Sequence, residues 1–451
     1  MPGVTLSRWT MSYFALALAC LLGGLALIVS GFGYPSADIA APQTLLLVHL
    51  LAIGWLSLLM CGALFQFVPV LVARPLYSNG LPLPTLACLT AGLVLLLCGF
   101  LHLSGWPGPA WSVLPWGGGL LVLGFALALY NLGRTLWAAR PLGLPAQFVA
   151  VGLASLAATV LLGFVFTAVL GGVSGSPLLA AITVEGLPLH VIAGLGGWLT
   201  FTAMGVSYRL LAMFMLAPEL DGMTSRAALR IGSAALAVVI VGGVLAIGSG
   251  FGPEWALVSG GSLALVALGL YGSDILQLYR RRKRRVIELN SRMAGVALGH
   301  LGCAVVLGVV LAATETLSRH AGALVFLVAF GWLTGLALAK LYKIVAFLTW
   351  LECYGPVLGK VDAPRVQDLV VEPRATRWFW LYFAAADFVV LGLLIDATGL
   401  ARVAAAAMLL ATAAIGRELL RIRRLADVAL AVRLPAGVGR PRLLVSMVQQ
   451  A

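Results

Sequence analysis

Apolar residues run along this chain in long blocks, and polar residues gather in the short intervals between them. Each block holds about 20 residues or more, the length a helix needs to cross the hydrocarbon core of a bilayer. Twelve spans are predicted, at about 11–33, 44–73, 82–104, 116–138, 144–171, 187–215, 229–250, 253–278, 293–316, 322–350, 378–397 and 401–421. Strands of a membrane barrel would alternate apolar and polar residues and mark each segment far more weakly. The pattern predicts an all-α polytopic membrane protein.

The polar intervals give the orientation. With the N-terminus cytoplasmic, the inner intervals collect Arg8, Arg74, Arg134, Arg140, Arg226, Arg230, the run Arg280 to Arg285, Lys360, Arg374 and the basic tail. Only Arg319 and Arg402 fall outside. One missed span would invert every later interval, so this bias supports twelve helices with both termini inside. The expected location is a bacterial-type inner membrane, with a bundle over 1–424 and a cytoplasmic basic tail over 425–451. Weak amphipathic character at Val428, Leu430, Val432 and Leu434 lets that tail lie on the membrane surface.

Composition agrees, at 61% hydrophobic and 10% charged residues, where soluble domains carry about 25% charged. The net charge of +13 follows from the topology signal. The Arg280 to Arg285 run is expected to touch anionic lipid, and nucleic acid is not an expected partner. The first apolar run continues past Cys20 without a polar break, unlike a cleavable signal. Six cysteines without a Cys-x-x-Cys pair read as small apolar fillers.

Three stretches can be laid over one another. Gly54-Trp55-Leu56-Ser57, Gly197-Trp198-Leu199-Thr200 and Gly331-Trp332-Leu333-Thr334 share a pattern, with Phe65-Gln66, Tyr208-Arg209 and Tyr342-Lys343 at matched offsets. They lie in the second, sixth and tenth spans, so the chain is expected to be three pseudo-repeats of four helices, about 11–138, 144–278 and 293–421. An even number of helices per repeat makes the marked spans parallel. His49, His190 and His320 precede the three motifs and fall near the external surface, with His102, Glu185 and Glu315 in the same layer. His300 is separated from them by depth.

Histidine inside a span is rare and usually faces the protein interior, and imidazole is the commonest metal ligand. Two or three of these histidines with Glu185 or Glu315 would suit copper, zinc or non-haem iron. Haem needs one or two axial imidazoles and an apolar slot. Gly54, Gly62, Gly194, Gly196 and Gly197 would line such a slot, or else let helices pack closely. Asp387 and Lys340 lie at similar depth inside the eleventh and tenth spans, where an ion pair between them would neutralise both; a proton or ion relay is the alternative. Arg209 and Lys343 are expected to snorkel to water or lipid phosphate.

Twelve helices in three arcs, with histidine in the second and sixth, resemble subunit I of the haem–copper oxidases and their non-oxidase relatives of the NnrS type. In sequence the resemblance rests on the His-plus-Gly-Trp helices and on Leu341 to Trp350. It implies haem b with His49 as ligand, His190 as second axial or metal ligand, and a copper ion at His190, for which the residue reading adds His102, Glu185 and Glu315 as candidate metal ligands. His320 stands in reserve as a haem ligand. It also implies an electron-donor protein or respiratory-complex subunit as partner, besides the bilayer, and a role in nitric oxide response, copper handling or electron transfer. The seventh span lacks the His pair that the oxidases place there, and the tenth lacks interior histidine, so a terminal oxidase is not expected. Two rival classes stand beside this one: a metal-cation or proton-coupled transporter using the external His/Glu layer, and a cofactor-free assembly factor.

Overall fold

The computed structural model describes residues 7–108 and 112–446. The last five residues of the predicted tail, 447–451, lie outside the described residues, as does the start of the predicted bundle at 1–6. Among the described residues, twelve helices are long and apolar enough to span a membrane. They are α1 Thr10–Ser30, α2 Pro42–Leu71, α3 Pro82–Leu103, α4 Leu114–Ala138, α5 Leu144–Leu170 and α6 Leu187–Met215. The remainder are α7 Met223–Gly248, α8 Glu254–Arg280, α9 Leu289–Ala313, α10 Leu317–Val357, α11 Glu372–Leu394 and α12 Thr398–Arg423. The only sheet pairing among the described residues is an isolated bridge between Leu358 and Val361.

The chain forms two compact units. One joins Met1–Gln66 to Ile287–Ala451 and holds α1, most of α2 and α9 to α12; the other, Phe67–Val286, holds α3 to α8. The cut near 286 coincides with the boundary predicted between the second and third repeats. The cut near 66 falls inside the first predicted repeat and separates α1 and α2 from α3 and α4.

Glycine sets the helix spacing within each unit. In the first, a Cβ on Gly62 would come 2.5 Å from the Cβ of Tyr13, so α1 and α2 cross with almost no gap. In the second, a Cβ on Gly117 would lie 2.7 Å from the backbone nitrogen of Leu96, and one on Gly92 2.8 Å from that of Leu121. Small residues that admit a neighbouring backbone this way are the usual device for packing helices where lipid offers no hydrophobic drive.

Each Gly-Trp motif falls in a π-helical stretch: Leu50–Ser57 in α2, Ile192–Phe201 in α6 and Leu327–Thr334 in α10. A fourth lies at Val238–Gly242 in α7. The wider turn leaves carbonyl groups badly placed for the next helical donor. In α10 they are taken by side chains: the Thr334 hydroxyl donates to the Ala329 carbonyl at 2.7 Å, and the Tyr382 hydroxyl from α11 to that of Phe330 at 2.9 Å. The Thr334 oxygen in turn accepts the indole N–H of Trp55 at 2.9 Å, joining α2 to α10.

The tail does not present the amphipathic face predicted for it. Its helical piece is four residues, Leu430–Arg433, with Leu430 81% exposed, while Leu425 and Val428 are buried. The chain beyond runs back over the ends of α12 and α1: the Arg442 carbonyl accepts from Arg423, the Leu444 carbonyl from Ser12, and the Ser446 N–H donates to the Arg8 carbonyl. Four residues are too few to form an independent membrane-surface helix, and these backbone bonds hold the segment against the unit instead.

Candidate functional site

His49 ends the regular part of α2, immediately before its π-helical stretch, and is half-buried. Its Nδ1 donates to the Leu45 carbonyl at 2.7 Å. His190 precedes the α6 stretch by two residues; its Nδ1 donates across to the Thr159 carbonyl of α5 at 3.0 Å. The His190 ring packs on Phe166 at 5.3 Å, and Gly163 lies against its edge. A carbonyl can only accept, so both rings carry hydrogen on Nδ1, and a neutral ring then has its lone pair on Nε2. Anchoring one ring nitrogen to a carbonyl is how ligating histidines are oriented in metal sites.

His320 departs from this pattern. It stands seven residues ahead of the α10 stretch, in a kink with φ −107° and ψ 15°, and its Nδ1 makes no hydrogen bond among the described residues. Tyr34, which leads into α2, lies against Gly322 at the start of α10, so the two helices run parallel in this unit. With Trp55 and Thr334 in contact, His49 stands six residues from that level and His320 fourteen. The difference places His320 about two turns nearer the helix end. Beside it, Arg319 binds Asp396 at 2.6 Å and holds that carboxyl below its ordinary value, by hydrogen bond and by charge.

The predicted metal set is dispersed. His102 is exposed at the end of α3, 3.3 Å from the Trp106 carbonyl in its own turn. Glu185 is exposed at the end of a short helix, Pro177–Glu185. Glu315 is exposed in the left-handed turn that closes α9, at φ 56°. Among the described residues no group of three or more His, Cys, Asp or Glu side chains converges as a metal centre requires. The residues present therefore do not fit the expected copper site. A haem needs only one or two imidazoles, and His49 fits as a donor.

The predicted glycine slot is mostly closed. A Cβ on Gly194 would meet Thr159, one on Gly197 would meet Ser155, and one on Gly62 would meet Tyr13, so these glycines serve helix packing. A cavity of about 590 Å³ opens at Leu245, Phe251, Glu254 and Trp255 in the second unit, and no histidine lines it.

One predicted pairing is revised, and the two charges expected to snorkel have carboxylate partners. Asp387 does not bind Lys340: its Oδ1 is 2.9 Å from Nε2 of His300, the histidine that depth appeared to isolate. Lys340 is buried on α10. Lys343 pairs with Glu288 at 2.9 Å, and Arg209 pairs with Glu219.

Some buried polar groups had no sequence signal beyond their helix. Asp274 of α8 accepts from the Tyr208 hydroxyl of α6 at 2.8 Å. Asn131 of α4 clamps the backbone of Ser78 through both its amide atoms. Glu418 of α12 accepts from Arg374 of α11 at 2.6 Å. The three occupy similar places, seven, six and five residues from the ends of α4, α8 and α12, all buried. A rule that asks for polar residues at matched places in the fourth helix of each predicted repeat would have found them.

No family model matches the chain, and no curated protein matches it. The architecture and these groups define a polytopic helical membrane protein with ionisable side chains inside its spans.

Proposed function

We propose that this chain is a haem b-binding membrane protein of haem–copper-oxidase-like architecture, built from three repeats of four helices, with His49 as an axial ligand. Its role lies in nitric oxide response, copper handling or electron transfer in a bacterial-type inner membrane, with both termini inside and a redox protein or respiratory-complex subunit as partner. The observation that carries the reading is shared by His49 and His190. Each sits at the brink of a π-helical Gly-Trp stretch, and each has Nδ1 anchored to a carbonyl. Haem would supply one-electron chemistry at its iron. The chain would hold the His49 ring by Leu45 and exclude water with its apolar spans.

The test is the reduced-minus-oxidised visible spectrum of purified protein, with metal analysis of the same sample. Sharp α and β bands, lost in His49→Ala and kept in His300→Ala, are the expected result. A colourless protein expressed with ample haem overturns the reading.

A second reading, a proton- or cation-coupled transporter, is favoured by the His300–Asp387 pair inside the spans. It requires cargo uptake into proteoliposomes that is lost in Asp387→Ala.

A further inference from the structure

α9 and α11 touch through His300 and Asp387. His300 is buried, with its ring stacked on Phe383 of α11 at 5.1 Å and 24°. Its Nδ1 lies 2.9 Å from the Val296 carbonyl, and its Nε2 lies 2.9 Å from Asp387 Oδ1. The carbonyl accepts only, so Nδ1 carries hydrogen. A neutral ring then has its lone pair on Nε2, and an ionised carboxylate also only accepts. Two acceptors do not bond at that distance, so the contact contains one further proton. It resides on Nε2, giving imidazolium and carboxylate, or on the carboxyl, giving two neutral groups. Both forms leave the pair uncharged.

The pair opens outward. The Asp387 side chain is 62% exposed, although it lies seven residues, roughly 10 Å, inside the Leu394 end of α11. Its neighbours on the exposed stripe are Trp380, Ala384, Phe388 and Leu391, an apolar face of the kind lipid covers. On α9, Gly299 and Cys303 flank His300 and are exposed, and a Cβ on Gly299 would meet nothing within 4 Å. Loss of the shared proton would leave a carboxylate facing hydrocarbon without a donor, which the membrane strongly disfavours.

The other titratable groups on these helices are Arg292 and Cys303 on α9, Arg319, His320, Lys340, Tyr342, Lys343, Glu352, Cys353 and Tyr354 on α10, and Glu372, Arg374, Arg377 and Tyr382 on α11. Lys343 is paired with Glu288, and the Tyr382 hydroxyl with the Phe330 carbonyl. α12 has no ionisable side chain between Arg402 and Arg417.

We propose that His300 and Asp387 form a one-proton binding site inside the membrane, open to the bilayer on the face of α9 and α11. The site stands whether or not the protein holds haem.

The test uses dicyclohexylcarbodiimide, an apolar reagent that modifies protonated carboxyls, on the full chain in native membranes and in lipid nanodiscs. Adducts are mapped by mass spectrometry between about pH 5 and 8. The expected result is an adduct at Asp387 whose yield falls with rising pH, by about tenfold per unit beyond the midpoint of a one-proton site. His300→Phe keeps the stacking ring but removes the nitrogen that shares the proton, so the adduct yield follows a different pH profile from the parent's. Asp387→Asn, whose amide can donate to Nε2, keeps the fold and loses the adduct. An adduct absent from Asp387 in both the parent and His300→Phe while another carboxyl reacts, or a yield flat with pH, overturns the proposal. Labelling in nanodiscs but not in native membranes overturns its access from the bilayer, because protein would then cover that face.

Discussion

Replacing Thr334 by valine tests the joint between α2 and α10. The two side chains have the same shape, so the change removes the hydroxyl and little else. Thr334 and Trp55 are each 1% exposed. The hydroxyl accepts the Trp55 indole N–H at 2.9 Å and donates to the Ala329 carbonyl at 2.7 Å. For a water-soluble core, a buried donor left without an acceptor costs about 1–3 kcal/mol. In membranes, bonds between helices average about 0.6 kcal/mol and reach about 1.7, because the unfolded chain within the bilayer also finds partners. The second scale applies, since this protein unfolds in a micelle. Thr334→Val should therefore lose about 0.6–1.7 kcal/mol, and Thr334→Ser, which keeps the oxygen, should recover most of it. The assay is reversible unfolding in mixed micelles followed by circular dichroism. A double-mutant cycle with Trp55→Phe then isolates the bond from the lost indole volume. If Thr334→Val stays within about 0.3 kcal/mol of the parent, or if the double mutant is additive to that precision, the joint carries no stability and the reasoning fails.

Two further outcomes are expected. Gly62→Ala sets its new Cβ against Tyr13 at 2.5 Å and should cost about 1–3 kcal/mol. Gly302→Ala on α9 meets open space and should be neutral or gain up to about 1 kcal/mol; equal effects at both sites in the same unfolding assay would contradict the packing argument. Asp427 is held down to about 2, first by its hydrogen bond to Arg421, with Arg374 adding a second bond and charge. A carboxyl with a lowered folded value stabilises fully above its unfolded value, about 3.9. That contribution fades as pH falls toward 2. Asp427→Asn should flatten the acid limb of the stability profile there, and a profile identical to the parent would refute the assignment.

Span count was legible because each crossing is one unbroken apolar block, and lipid admits little else. Helix ends were less so. α11 is predicted from about 378 but begins at Glu372, because Arg374, which reads as a loop charge, is neutralised by Glu418 and Asp427 and stays in the helix. The π-helical stretches left only an indirect trace: the Gly-Trp motif marks their position, but hydropathy does not distinguish a turn of 3.6 residues from a wider one. The Lys340–Asp387 expectation failed for a different reason. The predicted starts, 293 and 378, place His300 seven and Asp387 nine residues into their spans, heights close enough to meet. Opposite formal charge pointed to Lys340 instead, yet depth fixes only one coordinate, and the angle around the helix axis decides which neighbour a side chain faces. The predicted His/Glu layer rested on depth alone; whether its members converge requires the same angle, and among the described residues no such group converges.

In the first unit the two ends are fastened differently. At one end Arg423 and Glu352 pair at 2.6 Å with 3% and 5% exposure, Lys343 and Glu288 pair at 19% each, and Arg374 joins Glu418 to Asp427. Breaking such a buried pair leaves an uncompensated charge and costs several kcal/mol, roughly 3–5. At the other end the ion pair is Arg319 with Asp396, at 68% and 64% exposure, where water screens the attraction and the contribution is about 0–1 kcal/mol. Local opening follows the weaker fastening. The end that opens more easily is the one nearest His49 and His320. A cofactor or cation entering this unit at that end would meet His320 and His49 before His300. That asymmetry favours His320, two turns nearer the helix end, and then His49 as the groups an incoming species encounters.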